Sequence, residues 1–265
     1  KSKPKMPPKA ANQPKPEEIA LVRAWVAAGA KDDSAGAGAA GTKVAIPTIK
    51  PRGNVAPRVT ATAFTPDGRI LVAAAYRELM LLNPSDGTFF AKTAVAADPI
   101  TALVLSRDGK RLAVATGAPG QTGEVHIYAM PSQPAPVELK PERSFRGHAD
   151  LIQAMDISAD GKLLATCGYD KLVKLWAVDT GAEAATLKDH SDAVYGAAFS
   201  PDAKLLATCA ADRAVKVWEV ATGKRLYTLS EPTDWVYAVA WSPDGKLLAA
   251  AGVDKSIRVW EATAA

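Results

Sequence analysis

Cysteine and histidine are scarce in this chain. Its 265 residues include two cysteines, Cys167 and Cys209, and three histidines, His126, His148 and His190. No Cys/His spacing fits a zinc site. A Cys-x-x-Cys-His haem-attachment motif is missing. Apolar runs are too short for a membrane-spanning helix, and the n-region and h-region of a signal peptide are lacking. No glycine-rich loop follows a strand and opens a helix, so a nucleotide cradle has no support. Acidic residues are absent from the first 15 positions, which hold five lysines (Lys1, Lys3, Lys5, Lys9, Lys15). The formal charge is +4, so the remainder sums to −1 (4 − 5). That near-neutral remainder offers no electrostatic footprint for nucleic acid.

What the chain does have is repetition. His148, Thr166, Asp170 and Trp176 recur as His190, Thr208, Asp212 and Trp218, each displaced by 42 residues (190 − 148). A turn of the form x-Asp-Gly stands at Asp67, Asp108, Asp160, Asp202 and Asp244, with Ala203 replacing glycine once. Eight residues before each lies a β-branched residue: Val59, Ile100, Ile152, Val194 and Val236. Apolar runs follow the turns, such as Leu163–Thr166 and Leu205–Thr208. An alternating stretch such as Val173-Lys174-Leu175-Trp176 comes next. The pattern reads as strand, tight turn, strand, turn, strand. An internal period of this length marks a repeat architecture.

At these residues the chain resembles the WD40 family: Gly147-His148, Ser158-Ala159-Asp160-Gly161, Asp170 and Trp176. The resemblance implies an all-β fold, a WD40 β-propeller with four strands per blade. Five repeats are visible, over about 55–95, 96–145, 146–187, 188–229 and 230–265, expected to be part of a seven-bladed ring; the alternative is a five-bladed ring whose fifth blade residues 43–50 complete. Leu82 and Tyr128 stand where copies one and two would carry Trp. Inserted residues are expected around Gly117–Gly123 and Pro131–Pro141. Residues 43–50 read as an edge strand interrupted by Pro47, which the resemblance casts as the closing strand of the domain 43–265. An open ring would expose edge strands and inter-blade apolar faces.

The resemblance also implies a structural role for the quartet. Asp accepts from the histidine ring, the ring bonds the threonine hydroxyl, and the hydroxyl takes the indole N–H. Each bond contributes about 1 kcal/mol net, and burying the indole contributes more. A His/Asp/Thr catalytic relay is the competing reading; the set occurs twice and serves no single cleft. Copy five keeps Asp254 and Trp260 but has Pro232 and Ala250 for His and Thr, so its network should be broken. Cys167 and Cys209 are equivalent positions, read as small buried fillers. His126 is read as a surface strand residue.

The N-terminal 30 residues differ in kind. Residues 16–28 read as a helix: Pro16 at its start, Glu17 and Glu18 in the first turn, and Gly29 as its stop. Met6-Pro7-Pro8 and Trp25-Val26-Ala27-Ala28-Gly29-Ala30 resemble the C-terminal end of a planctomycete-type cytochrome c domain. The likeness implies that Met6 is a possible haem axial ligand and that a haem c module lies upstream in a longer protein. It further implies a periplasmic or otherwise extracytoplasmic location in a bacterium; without it, the expectation is cytoplasmic. A basic leader with one amphipathic helix is the alternative reading. Residues 31–42, rich in Ala and Gly, read as a flexible linker.

Function should then be non-enzymatic: a rigid scaffold for a protein or peptide, with electron transfer as the alternative. Loops on a rigid ring are where partners dock. In the family, exposed positions flank the β-branched residue and precede the blade Asp. Here these include Arg58, Leu151, Gln153, Tyr169, Tyr195, Trp235 and Tyr237. Tyr169, Tyr195, Trp235 and Tyr237 are expected to form an aromatic patch across adjacent blades. The oligomeric state is left open.

Overall fold

The computed structural model describes residues 59–95 and 98–262. Met6, the 16–28 helix, the 31–42 linker, the 43–50 strand and Arg58 lie outside the described residues. Nineteen strands and no helix make up the described part. They form five antiparallel sheets, each paired in chain order. The first holds β1 (Val59–Phe64), β2 (Leu71–Ala75), β3 (Glu78–Leu82) and β4 (Phe89–Ala94). The second holds β5 (Ile100–Leu105), β6 (Arg111–Ala118), β7 (Thr122–Ala129) and β8 (Pro141–His148). The third holds β9 (Ile152–Ile157), β10 (Leu163–Gly168), β11 (Val173–Ala177) and β12 (Glu183–Leu187). The fourth holds β13 (Val194–Phe199), β14 (Leu205–Ala210), β15 (Val215–Glu219) and β16 (Arg225–Leu229). The fifth has three strands among the described residues, β17 (Val236–Trp241), β18 (Leu247–Gly252) and β19 (Ile257–Glu261).

The five β-branched residues singled out in the sequence each open the first strand of a sheet. The Asp-Gly turns then join first strand to second by one repeated device. In the third sheet, Ser158 Oγ donates to Asp160 Oδ1 at 2.6 Å and accepts from the Leu163 N–H at 2.9 Å. Asp160 Oδ1 also accepts from the Lys162 N–H at 3.1 Å. The same hydroxyl–carboxylate bond recurs at Thr65–Asp67, Ser106–Asp108, Ser200–Asp202 and Ser242–Asp244. The hydroxyl bond, followed by the backbone bond, holds all five carboxyls below the usual carboxylate range. Gly68, Gly109, Gly161 and Gly245 sit at φ of 69 to 74° there, and Ala203 takes φ 59° despite its Cβ.

First strands pack on one another in sequence, β1 on β5, β5 on β9, β9 on β13 and β13 on β17. The second strands are buried on both faces, as in Leu164, Ala165, Thr166 and Cys167 of β10. Their alanines keep neighbouring sheets close, and larger residues from adjoining strands fill the gaps. Cys167 and Cys209 are fully buried free thiols in this layer, and burial pushes the Cys209 thiol up to about 12. At the end of the row cover is thinner. Ile257 and Val259 of β19 are 77% and 58% exposed.

One feature departs from the sequence reading, and a second adds to it. His126 is not a surface residue: it is 6% exposed, inside the second sheet. Its Nε2 lies 3.1 Å from Thr116 Oγ1 and its Nδ1 lies 2.7 Å from Ser144 Oγ. Lys174 and Lys216 of the third strands are also buried, 7% and 6% exposed. Lys174 Nζ bonds Glu183 at 2.6 Å and Thr186 at 3.0 Å. Lys216 Nζ bonds the Asp189 carbonyl at 2.6 Å. Outer strands screen this face of the sheet, and an ammonium stays there only with such partners.

Candidate interaction face

Two hydrogen-bonded lines fix one end of the third and fourth sheets. His148 Nδ1 lies 2.9 Å from Asp170 Oδ2, its Nε2 lies 2.7 Å from Thr166 Oγ1, and Trp176 Nε1 donates to that hydroxyl at 2.8 Å. In the next sheet the distances are 2.8 Å for His190–Asp212, 2.8 Å for His190–Thr208 and 2.9 Å for Trp218–Thr208. Each Asp also accepts the N–H after its histidine, from Ala149 and Ser191, at 3.1 Å. Desolvation works against both carboxylates. The histidine bonds and the neighbouring N–H donors outweigh it and hold Asp170 and Asp212 below their usual range. The histidine side chains are 0% and 1% exposed, so no substrate reaches them. Gly147 belongs to this packing: a Cβ there would stand 2.3 Å from Cη2 of Trp176.

The fifth sheet lacks the line. Asp254 accepts from the Thr233 N–H at 3.1 Å and pairs with Arg258 at 2.7 Å. Ala250 offers Trp260 no hydroxyl, and Trp260 is only half-buried. In the second sheet Tyr128 pairs with Leu112 as Trp176 pairs with Leu164. Its hydroxyl is buried with no partner. Val114 stands where Thr166 would, which removes the acceptor.

A bulge recurs in all five sheets, with or without the line. In each first strand the register skips one residue after the opening position: Thr60, Thr101, Gln153, Tyr195 and Tyr237. A bulge re-aims a side chain and leaves it outside the ladder. Tyr195 and Tyr237 therefore lean out at the same end as the residues preceding each first strand. Those residues are tied down in turn. The Tyr169 N–H donates to the Leu151 carbonyl at 3.0 Å, and the Val253 N–H donates to the Trp235 carbonyl at 2.9 Å.

Four aromatic rings from three sheets meet here. Tyr195 is central, with ring centroids 6.1 Å from Tyr169, 6.2 Å from Trp235 and 4.9 Å from Tyr237. Trp235 and Tyr237 lie 6.5 Å apart, nearly perpendicular. Tyr169, Trp235 and Tyr237 are 41%, 44% and 49% exposed. Leu151 and Gln153 are half-buried at the same end of the third sheet. Burial first, then Tyr169, Tyr237 and Asp192, push the Tyr195 phenol up.

At the other end of the same strands lies a second feature, which the sequence reading did not raise. Asp156 Oδ2 accepts from the Phe199 N–H in the next sheet at 2.7 Å, and its Oδ1 accepts from its own neighbour Ile157 at 2.9 Å. Burial pushes this carboxyl up to about 6, against those bonds and the charge of Arg107. It borders a cavity of about 570 Å³ shared with Arg107, Pro201 and Trp241. The register equivalents Ala63, Val104, Ala198 and Ala240 are apolar. That contrast was the available signal in the sequence.

Comparison with known proteins meets the same repeats. The WD domain, G-beta repeat (WD40) family model matches residues 139–177, 181–219 and 223–261. The yeast (Saccharomyces cerevisiae) "Target of rapamycin complex subunit LST8" is 32% identical over 90 residues, 34% of this chain and 28% of that protein. The mouse "U4/U6 small nuclear ribonucleoprotein Prp4" is 44% identical over 39 residues, 15% of this chain and 8% of that protein. The Drosophila virilis "Ribosome biogenesis protein BOP1 homolog" is 32% identical over 66 residues, 23% and 8% respectively. The chain thus spans less than a third of the length of these relatives. Each matched stretch begins with the outer strand of one sheet and continues through three strands of the next. Residues 139–261 are three WD40 repeats in tandem, set in the all-β, four-stranded sheets of a WD40 propeller fold.

Proposed function

We propose that this chain is a non-catalytic platform on which a protein or peptide partner docks, at the face holding Tyr169, Tyr195, Trp235 and Tyr237. One observation carries the reading: four aromatic rings from three sheets meet at one end, three of them exposed, where buried polar lines hold the third and fourth sheets. Tyr and Trp supply contact area at low entropic cost and dominate interface energies. The relatives named above include, by their names, a complex subunit and a ribonucleoprotein component, in keeping with such a role. The test is affinity capture with the wild-type chain and a Trp235→Ala/Tyr237→Ala variant of unchanged circular dichroism. A defined set of proteins should be depleted by the double substitution. Identical captured sets would remove this face from consideration.

The electron-transfer alternative rests on the likeness of Met6–Ala30 alone. The chain has no Cys-x-x-Cys-His, so covalent haem attachment would fall to sequence beyond it. A pyridine haemochrome spectrum of the natural gene product tests it. A c-type signal would support the haem module and an extracytoplasmic location; its absence would end both.

A further inference from the structure

We infer that the aromatic cluster takes the cationic side chain of an arginine-bearing peptide, a proposal that rests on the docking reading above. Three observations point there. The π faces of the cluster are open to a cation. Arg77 lies 5.1 Å over Tyr76 and Lys174 lies 5.6 Å over Trp176, but among the described residues no lysine or arginine covers any ring of the cluster. The nearby Lys171 ammonium is drawn off to the Ser191 carbonyl at 2.9 Å. Next, carboxylates stand close by: Asp192 acts on the Tyr195 phenol, and Asp234 directly precedes Trp235. Asp192 and Asp234 each use one oxygen to accept the following N–H, from Ala193 and Trp235, at 2.8 Å. The other oxygen of each has no donor among the described residues. Finally, the rings stand at 43 to 86° to one another, 4.9 to 6.5 Å apart, so no two of them form parallel walls about a cation. A flat guanidinium instead stacks on an outward face and turns its N–H fork to a carboxylate. Lysine, a compact and strongly hydrated charge, fits that geometry less well.

The test uses short Gly/Ser-rich peptides that differ only in carrying arginine, citrulline, lysine, leucine or proline. Binding is read by Trp fluorescence and calorimetry on the full chain. The arginine peptide should bind about tenfold tighter than its citrulline isostere. That preference should collapse in Asp192→Asn/Asp234→Asn, and binding itself in Trp235→Ala. Leucine or proline peptides binding as well as arginine, still dependent on Trp235, would overturn the cationic inference and leave the docking reading standing. An arginine preference unaffected by Trp235→Ala would be diffuse charge attraction and would also overturn it. Binding that never depends on Trp235 would overturn both.

Discussion

Asp156 offers the sharpest test of the energetics. Its carboxyl is pushed from 3.8 up to about 6 by burial between the third and fourth sheets. A displacement of that size corresponds to about 3 kcal/mol. The sign follows from which state holds the proton more tightly. The folded chain does, so this group's stabilising contribution is complete below the unfolded value of 3.8. It is lost as pH rises through about 6. Above that, a buried carboxylate weighs against folding. Asp156→Asn keeps an oxygen to accept the Phe199 N–H and removes the charge. Urea denaturation of both proteins should show the variant more stable by about 1–3 kcal/mol at pH 8. The gap should close toward pH 4. Asp170 and Asp212 shift the opposite way and weaken the fold in acid, but they are common to both proteins and cancel in the difference. A variant less stable than wild type at pH 8 would refute the reasoning. It would mean that the hydrogen bonds donated to the carboxylate by the Phe199 and Ile157 N–H groups outweigh desolvation.

Other substitutions test the hydrogen-bonded lines and turns by the same urea assay. Tyr128→Phe should raise stability by about 1 kcal/mol, because the hydroxyl it removes is buried without a partner. Thr208→Val should cost about 2–4 kcal/mol, since it strands both the Trp218 indole N–H and the His190 ring nitrogen. Ala203→Gly should gain about 1 kcal/mol by relieving a left-handed residue at φ 59°. Gly161→Ala, at φ 71° in the equivalent turn, should lose a similar amount.

The repeat was legible because it is written in residues with strong local rules. Asp-Gly turns declare hairpins, and a quartet of His, Thr, Asp and Trp at a fixed offset declares one packing unit. The strand starts at Val59, Ile100, Ile152, Val194 and Val236 follow from that register. The aromatic cluster was legible for the same reason, since Tyr195, Trp235 and Tyr237 fall at repeated positions. What was not legible depends on neighbours distant in sequence. His126 looks outward by alternation, yet Thr116 and Ser144 of neighbouring strands meet it, and Lys216 is held by Asp189 27 residues away. Asp156 bonds a backbone amide 43 residues away, and a backbone amide has no sequence signature. The unpaired Tyr128 hydroxyl reflects two changes at once, Tyr for Trp and Val114 for Thr.

Repeat and sheet are out of step. The matched unit 139–177 takes β8 from the second sheet and β9 to β11 from the third, and its successors do likewise. Copying or deleting one such unit in the gene therefore leaves every interior sheet whole, because each new outer strand completes the sheet before it. The offset ties each interior sheet to the unit that follows it. A cut placed at a sheet boundary instead would preserve the sheets but split the sequence motif, taking Gly147 and His148 from Trp176. The molecule is held together the way overlapping roof tiles are, with each joint covered by the neighbouring piece.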